Sequence, residues 1–89
     1  MSPLWPDGQS VQTQARATGA DWPTPEAFFW NGAYHRILHH GPHWRVHTDW
    51  WTEKEIWRDY WQVATDTGWL CVIYHDRHGD AWYLERVYE

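Results

Sequence analysis

Phe28-Phe29-Trp30-Asn31-Gly32-Ala33-Tyr34-His35-Arg36-Ile37-Leu38 is the stretch that decides the fold. Asn-Gly between two apolar runs is the strongest short-range hairpin signal, because a type I′ turn needs positive φ at both central residues. The pattern therefore predicts two antiparallel strands joined by a two-residue turn. Working outward, the same grammar recurs. Val11 to Thr18 alternates weakly and reads as an edge strand, and Thr18 to Pro25 reads as a loop punctuated by Gly19, Pro23 and Pro25. On the other side, His39 to His43 contains Gly41-Pro42 and reads as a turn, while Trp44-Arg45-Val46-His47-Thr48 alternates cleanly as a strand. Tyr60 to Thr65, Trp69 to Tyr74 and Ala81 to Tyr88 are further strands, separated by turns at Thr65-Asp66-Thr67-Gly68 and His75 to Asp80. On strict alternation Trp82, Leu84, Arg86 and Tyr88 share a face.

Only Trp50 to Asp59 breaks the rhythm. Thr52 and Glu55 fit a capping box, which predicts at most one short helix over Thr52 to Arg58. The expectation is an all-β domain of about six short strands, an antiparallel meander rolled into a small barrel. Residues 1–10, with Pro3, Pro6 and Gly8, read as a flexible tail, and residues 11–89 as a single β domain.

Composition narrows the function. Ten Trp, five Tyr and two Phe outnumber the 12 Ile, Leu and Val residues. A few aromatics, each burying about 150–250 Å², replace many aliphatics in a small core. That composition opposes disorder. No apolar run reaches the ~20 residues a transmembrane helix needs, and Met1 to Gly8 has neither half of a signal peptide. Seven Lys and Arg against twelve Asp and Glu give a net charge of −5, which opposes electrostatic coating of duplex DNA. Cys71, the lone cysteine, sits in the apolar run Leu70-Cys71-Val72-Ile73 and reads as a buried thiol in a cytoplasmic protein.

Chemistry-bearing constellations are sparse. His39, His43 and His47 come nearest to a metal set, but structural zinc wants four disciplined ligands, commonly with Cys. The seven histidines therefore read as solvated imidazoles, and no cofactor is expected. Carboxylates on turns read as turn formers and caps. With no nucleophile–base pair at a known spacing and no phosphate-cradling glycine loop, the chain is expected not to be an enzyme.

The tryptophans are too many for one small core. Some indoles must reach the surface, where aromatic rings beside Arg form protein-binding hot spots or stacking platforms for single-stranded bases. Trp50-Trp51, Arg58 and Tyr60 are the expected site. Neighbouring residues diverge in a strand and in a helix alike, so one indole of the pair faces solvent. The preferred function is a protein–protein adaptor or homodimer interface. The alternative is a binder of single-stranded nucleic acid with Arg36, Arg45 and Arg58 on phosphates.

From about Val11 onward the chain resembles a small bacterial domain family of unknown biochemical function. The resemblance lies in Phe29-Trp30-Asn31-Gly32-Ala33-Tyr34, Trp44-Arg45, Trp50-Trp51 and Arg58-Asp59-Tyr60. It continues in Tyr74-His75-Asp76, Trp82-Tyr83-Leu84 and Val87-Tyr88-Glu89. The tail, with paired Trp, a strand leading to a turn Gly and a terminal Trp…Tyr-acid, looks like the C-terminal segment of ImuB-type proteins. Those are Y-family polymerase homologues that lack catalysis and organise a damage-induced, error-prone replication complex. The resemblance implies a protein partner in that complex and a place in translesion synthesis. It supplies no catalytic or ligand residue.

Overall fold

The structure is a computed structural model that describes residues 4–16, 23–48, 51, 53 and 55–88. Six strands follow one another, β1 (Leu4–Arg16), β2 (Thr24–Trp30), β3 (Ala33–Thr48), β4 (Ile56–Thr65), β5 (Leu70–Asp76) and β6 (Ala81–Tyr88). Each is antiparallel to its neighbour, and β1 pairs with both β2 and β6, so the sheet closes into a barrel. Closure removes the open edges that would otherwise template aggregation. The Asn-Gly turn is where the sequence put it. Asn31 has φ 53° and Gly32 φ 75°, and Trp30 pairs with Ala33 across the turn.

Two expectations are corrected. Residues 4–10 are not tail, because β1 begins at Leu4, which pairs with Arg86. The expectation of at most one short helix holds, for among the described residues there is none. Ile56 to Arg58 are extended in β4, Thr52 lies outside the described residues, and Glu55 binds His47 and His78. Burial of Tyr60, Trp61 and Val63 on a sheet outweighs the local capping signal.

Second, Gly41-Pro42 is not a turn. The β3 strand runs through it, with one extra residue between His40, opposite Val63, and His43, opposite Trp61. A β-bulge leaves a residue out of the ladder, and so accepts a proline that has no N–H to give. Another extra residue, Leu38, falls between the Ile37–Thr65 and His39–Ala64 pairs. Bulges bend a strand and increase its twist. This lets one 16-residue strand pair first with β2 and then with β4 around the barrel.

The inward-facing residues form the main core of Val11, Phe28, Ile37, Trp61, Val63, Cys71, Ile73, Trp82, Leu84 and Val87. Strict alternation fails in β6, where Glu85 is an extra residue between the Ile73–Leu84 and Val72–Arg86 pairs. The bulge resets the phase, so Val87 enters the core while Arg86 and Tyr88 stay outside with Tyr83. Burial pushes the Cys71 thiol up to about 12. His35 is buried and stacked on Phe28. Its Nε2 lies 3.2 Å from the Trp30 carbonyl, which only accepts, so that nitrogen donates. The other ring nitrogen then accepts from the Thr67 hydroxyl at 2.7 Å, tying the β4–β5 turn to the barrel end. No helix among the described residues is long and apolar enough to cross a membrane.

Candidate interaction surface on the outer wall

Four strands carry an aromatic residue at the same level of the outer wall. Trp44 pairs with Tyr60, Tyr60 with Tyr74, and Tyr74 with Tyr83, one residue each from β3, β4, β5 and β6. Directly opposed residues on one face bring their Cβ atoms within about 4.5–5.5 Å, so the rings meet as a ladder. Trp44 and Tyr60 lie 5.3 Å apart and 2° from parallel. The next steps are 5.0 Å to Tyr74 and 5.2 Å to Tyr83. Tyr60 and Tyr74 with Val72 make a second buried cluster outside the barrel proper, with Val46 and Tyr83 against it.

The ladder is covered at one end and open at the other. At Gly8 the backbone of β1 lies against the Tyr74 hydroxyl and the Tyr83 Cβ, where an added methyl group has no room. Burial pushes the Tyr74 phenol up to about 12, against the opposing pull of the Arg58 charge. Arg58 lies with its guanidinium carbon 4.6 Å from the Tyr74 ring centre, and its Nη1 donates to the Tyr60 hydroxyl at 3.3 Å. Desolvation works against its charge, but that hydrogen bond and the nearby phenols and Asp76 hold its pKa above the ordinary guanidinium value. Trp44 ends the ladder with 40% of its surface exposed.

The other face of the same hairpin is charged and points inward. Asp59, 1% exposed, accepts from Arg45 Nε at 2.6 Å and from Arg77 Nη1 at 3.0 Å. The Arg77 guanidinium lies 4.7 Å over the Trp57 ring, which also stacks with His47 at 4.8 Å. His47 shares the Glu55 carboxylate with His78, and the two imidazoles hold the Glu55 pKa below its ordinary value. A buried carboxylate gripped by two arginines fixes the β3–β4 hairpin to the β5–β6 turn.

The expected site residues fall in different places. Arg58 and Tyr60 do meet, but Tyr60 is buried and supports the surface rather than forming it. Trp51 is 68% exposed. It lies beyond the Thr48–Ile56 pair, four rungs from the Trp44–Tyr60 pair, which is about 14 Å along the hairpin. Trp50 lies outside the described residues. Trp44 is an exposed, stacked aromatic that the reading of the sequence did not single out. Its signal was the clean alternation of Trp44 to Thr48, which sets Trp44 and Val46 opposite in face to Arg45 and His47.

Arg36, Arg45 and Arg58 do not line one track. Arg45 turns inward to Asp59, Arg58 turns outward over Tyr74, and Arg36 sits earlier on β3 opposite Ala27. His39, His43 and His47 do not converge either. His43 and His47 sit four residues apart on an extended strand, about 13 Å, and occupy separate stacks on Trp61 and Trp57. Among the described residues no group of three or more His, Cys, Asp or Glu is arranged to hold a metal ion. The reading of all seven histidines as solvated is also corrected, since His35 and His75 are buried.

A family profile described as a domain of unknown function, DUF6504, matches residues 7–89. No curated protein and no solved structure matches the chain.

Proposed function

The chain belongs to the DUF6504 family of domains of unknown function, and on that footing we propose that it is a non-enzymatic module that docks a protein partner through Trp44. One observation carries the reading. Trp44 is stacked flat on Tyr60 by the pairing of β3 with β4, yet 40% of it remains in solvent. A ring already held in place loses little freedom on binding, which is the main cost of using a large side chain as an anchor. Trp is among the residues most enriched at hot spots, and Arg58 beside the ladder supplies a fixed positive charge. Trp51 extends the surface at the hairpin's end.

The partner we propose is the damage-induced, error-prone polymerase assembly that ImuB-type proteins organise. Its support is the sequence resemblance carried by the paired Trp, a strand leading to a turn Gly and the terminal Trp…Tyr-acid. Binding of single strands along Arg36, Arg45 and Arg58 is the weaker reading, because Asp59 already neutralises Arg45.

The test uses tagged chain as bait in extracts of DNA-damaged cells, with Trp44→Ala and Trp51→Ala in parallel. Trp44→Ala is expected to lower partner capture at least tenfold, corresponding to a hot spot of about 2 kcal/mol. Its melting temperature should fall by less than about 8 °C, a loss near 1 kcal/mol for the stacking. Equal capture by parent and Trp44→Ala overturns the proposal. Dimerisation that Trp44→Ala abolishes identifies a second copy as the occupant instead.

A further inference from the structure

Away from the Trp44 edge, the outer wall of β1, β2 and the first part of β3 holds an open hollow of about 410 Å³. Its cause is a small residue between longer ones. Gln14, Ala27 and Arg36 are paired across the three strands, and the Ala27 methyl leaves a depression that the flanking side chains rim. Arg16, Glu26, Tyr34, Ile37 and His40 complete the wall. The volume lies within the 300–1,000 Å³ of ordinary small-molecule sites.

The chemistry of this rim is cationic on an acidic chain. Arg36 makes no side-chain hydrogen bond or ion pair among the described residues, although its backbone N–H donates to Asp66. Arg16 pairs with Glu26 at 3.2 Å, but both side chains are at least half exposed. Such pairs contribute little and exchange readily for a better anion. The Gln14 carbonyl oxygen accepts from the Tyr34 hydroxyl, which leaves the Gln14 amide hydrogens to donate elsewhere. Two guanidiniums against one carboxylate leave the hollow positive. The net charge of −5 acts from farther away, and beyond about 8 Å physiological salt screens it.

One row along the same strands, about 7 Å away, Phe29 pairs with Tyr34. Their rings lie 5.4 Å apart, and 49% and 43% of these residues is exposed. Nothing in the barrel core uses them. Aromatic rings standing free on a sheet, with arginine one row on, are the means by which sequence-tolerant single-strand binders hold a base and its phosphate.

We propose that this wall is a second binding site, for the phosphate and attached base of a nucleotide or of single-stranded nucleic acid. Arg36 and Arg16 hold the phosphate, the Gln14 amide adds a donor, and the Phe29–Tyr34 pair is the stacking surface for the base. The site shares no residue with the Trp44 edge, so it stands or falls independently of the protein-docking reading.

The experiment titrates the full chain with adenosine monophosphate, with inorganic phosphate, and with a fluorescent 12-nucleotide oligo(dT) followed by anisotropy. Binding of the oligonucleotide is expected, with a slope of log affinity against log salt near −1.4 for two phosphate contacts. Arg36→Ala should weaken it at least tenfold and flatten the slope to about −0.7. Tyr34→Ala and Phe29→Ala should each weaken it roughly 5- to 100-fold, the range for loss of one stacked base. Glu26→Gln releases Arg16 and should tighten binding, a gain that misfolding cannot mimic. Trp44→Ala should change nothing.

A response to adenosine monophosphate alone, with the same pattern across variants, identifies the free nucleotide as the ligand. Preference for the oligonucleotide identifies the strand. The proposal is overturned if neither ligand binds, if Arg36→Ala binds like the parent, or if adenosine monophosphate binds no better than inorganic phosphate.

Discussion

Replacing Asp59 by Ala removes the one carboxylate that two guanidiniums share inside the hairpin end of the barrel. The parent holds this group at 1% exposure with Arg45 Nε at 2.6 Å and Arg77 Nη1 at 3.0 Å. Without it, two guanidiniums lose the buried carboxylate that sits between them. Breaking a buried ion pair from one side costs about 3–5 kcal/mol, mostly for the charge left behind. The Arg45 and Arg77 side chains are 28% and 20% exposed, so water reaches part of each and the lower end, about 3 kcal/mol, applies. For a domain of this size each 1 kcal/mol moves the melting temperature by roughly 4–8 °C, so Asp59→Ala should melt about 12–24 °C lower.

Urea denaturation followed by tryptophan fluorescence should show the same loss as a lower midpoint at constant slope. A companion variant separates charge from shape. Arg45→Met, Asp59→Leu and Arg77→Met together remove all three charges, and apolar replacement of a whole buried cluster is often neutral or stabilising. The triple variant should therefore recover to within about 2 kcal/mol of the parent. A fall of less than 4 °C for Asp59→Ala refutes the reasoning. So does a triple variant no more stable than the single one.

The remaining predictions concern backbone and titration. Gly8 and Gly32 both have left-handed φ, but an added methyl meets Tyr83 Cβ at 2.8 Å at Gly8 and nothing within 4 Å at Gly32. Gly32→Ala should cost only the backbone strain, about 1 kcal/mol, and Gly8→Ala clearly more; equal urea midpoints would remove β1 from the wall over Tyr74. Burial holds the Cys71 thiol and the Tyr74 phenol at about 12 in the folded chain. Unfolded, they ionise near pH 8.5 and 10, so their contribution is complete below about pH 8.5 and is lost as pH rises to 12. Stability that stays flat from pH 8.5 to 12 would contradict the burial of both groups. Phenol absorbance, compared with that of Tyr74→Phe, should show the Tyr74 phenol titrating late. Cys71 should resist a thiol reagent at pH 8 until urea unfolds the chain, and prompt labelling of the native protein would place it at the surface.

Local grammar was enough for the order of the strands. Asn31-Gly32 admits few turns, and the alternation of Trp44 to Thr48 and Ala81 to Leu84 admits only a half-buried strand, so these elements were legible from residues a few positions apart. The high aromatic content and the buried environment of Cys71 were legible too, because both follow from composition and the immediate neighbours.

Three things needed the tertiary structure. Whether Gly41-Pro42 turns or bulges depends on Val63 and Trp61 across the sheet, and the sequence around Gly41 contains neither. Which face a residue takes after Glu85 depends on that bulge, since a shift of one residue exchanges core for solvent along the rest of a strand. The grouping of Trp44, Tyr60, Tyr74 and Tyr83, and of Phe29 and Tyr34 beside Arg36, is set by the registers of separate strand pairs. Register reflects the sum of many small contacts around a closed barrel rather than the preference of any one segment. Each residue's type was therefore written in the chain, while its neighbours, and with them the two candidate surfaces, were decided only when the barrel closed.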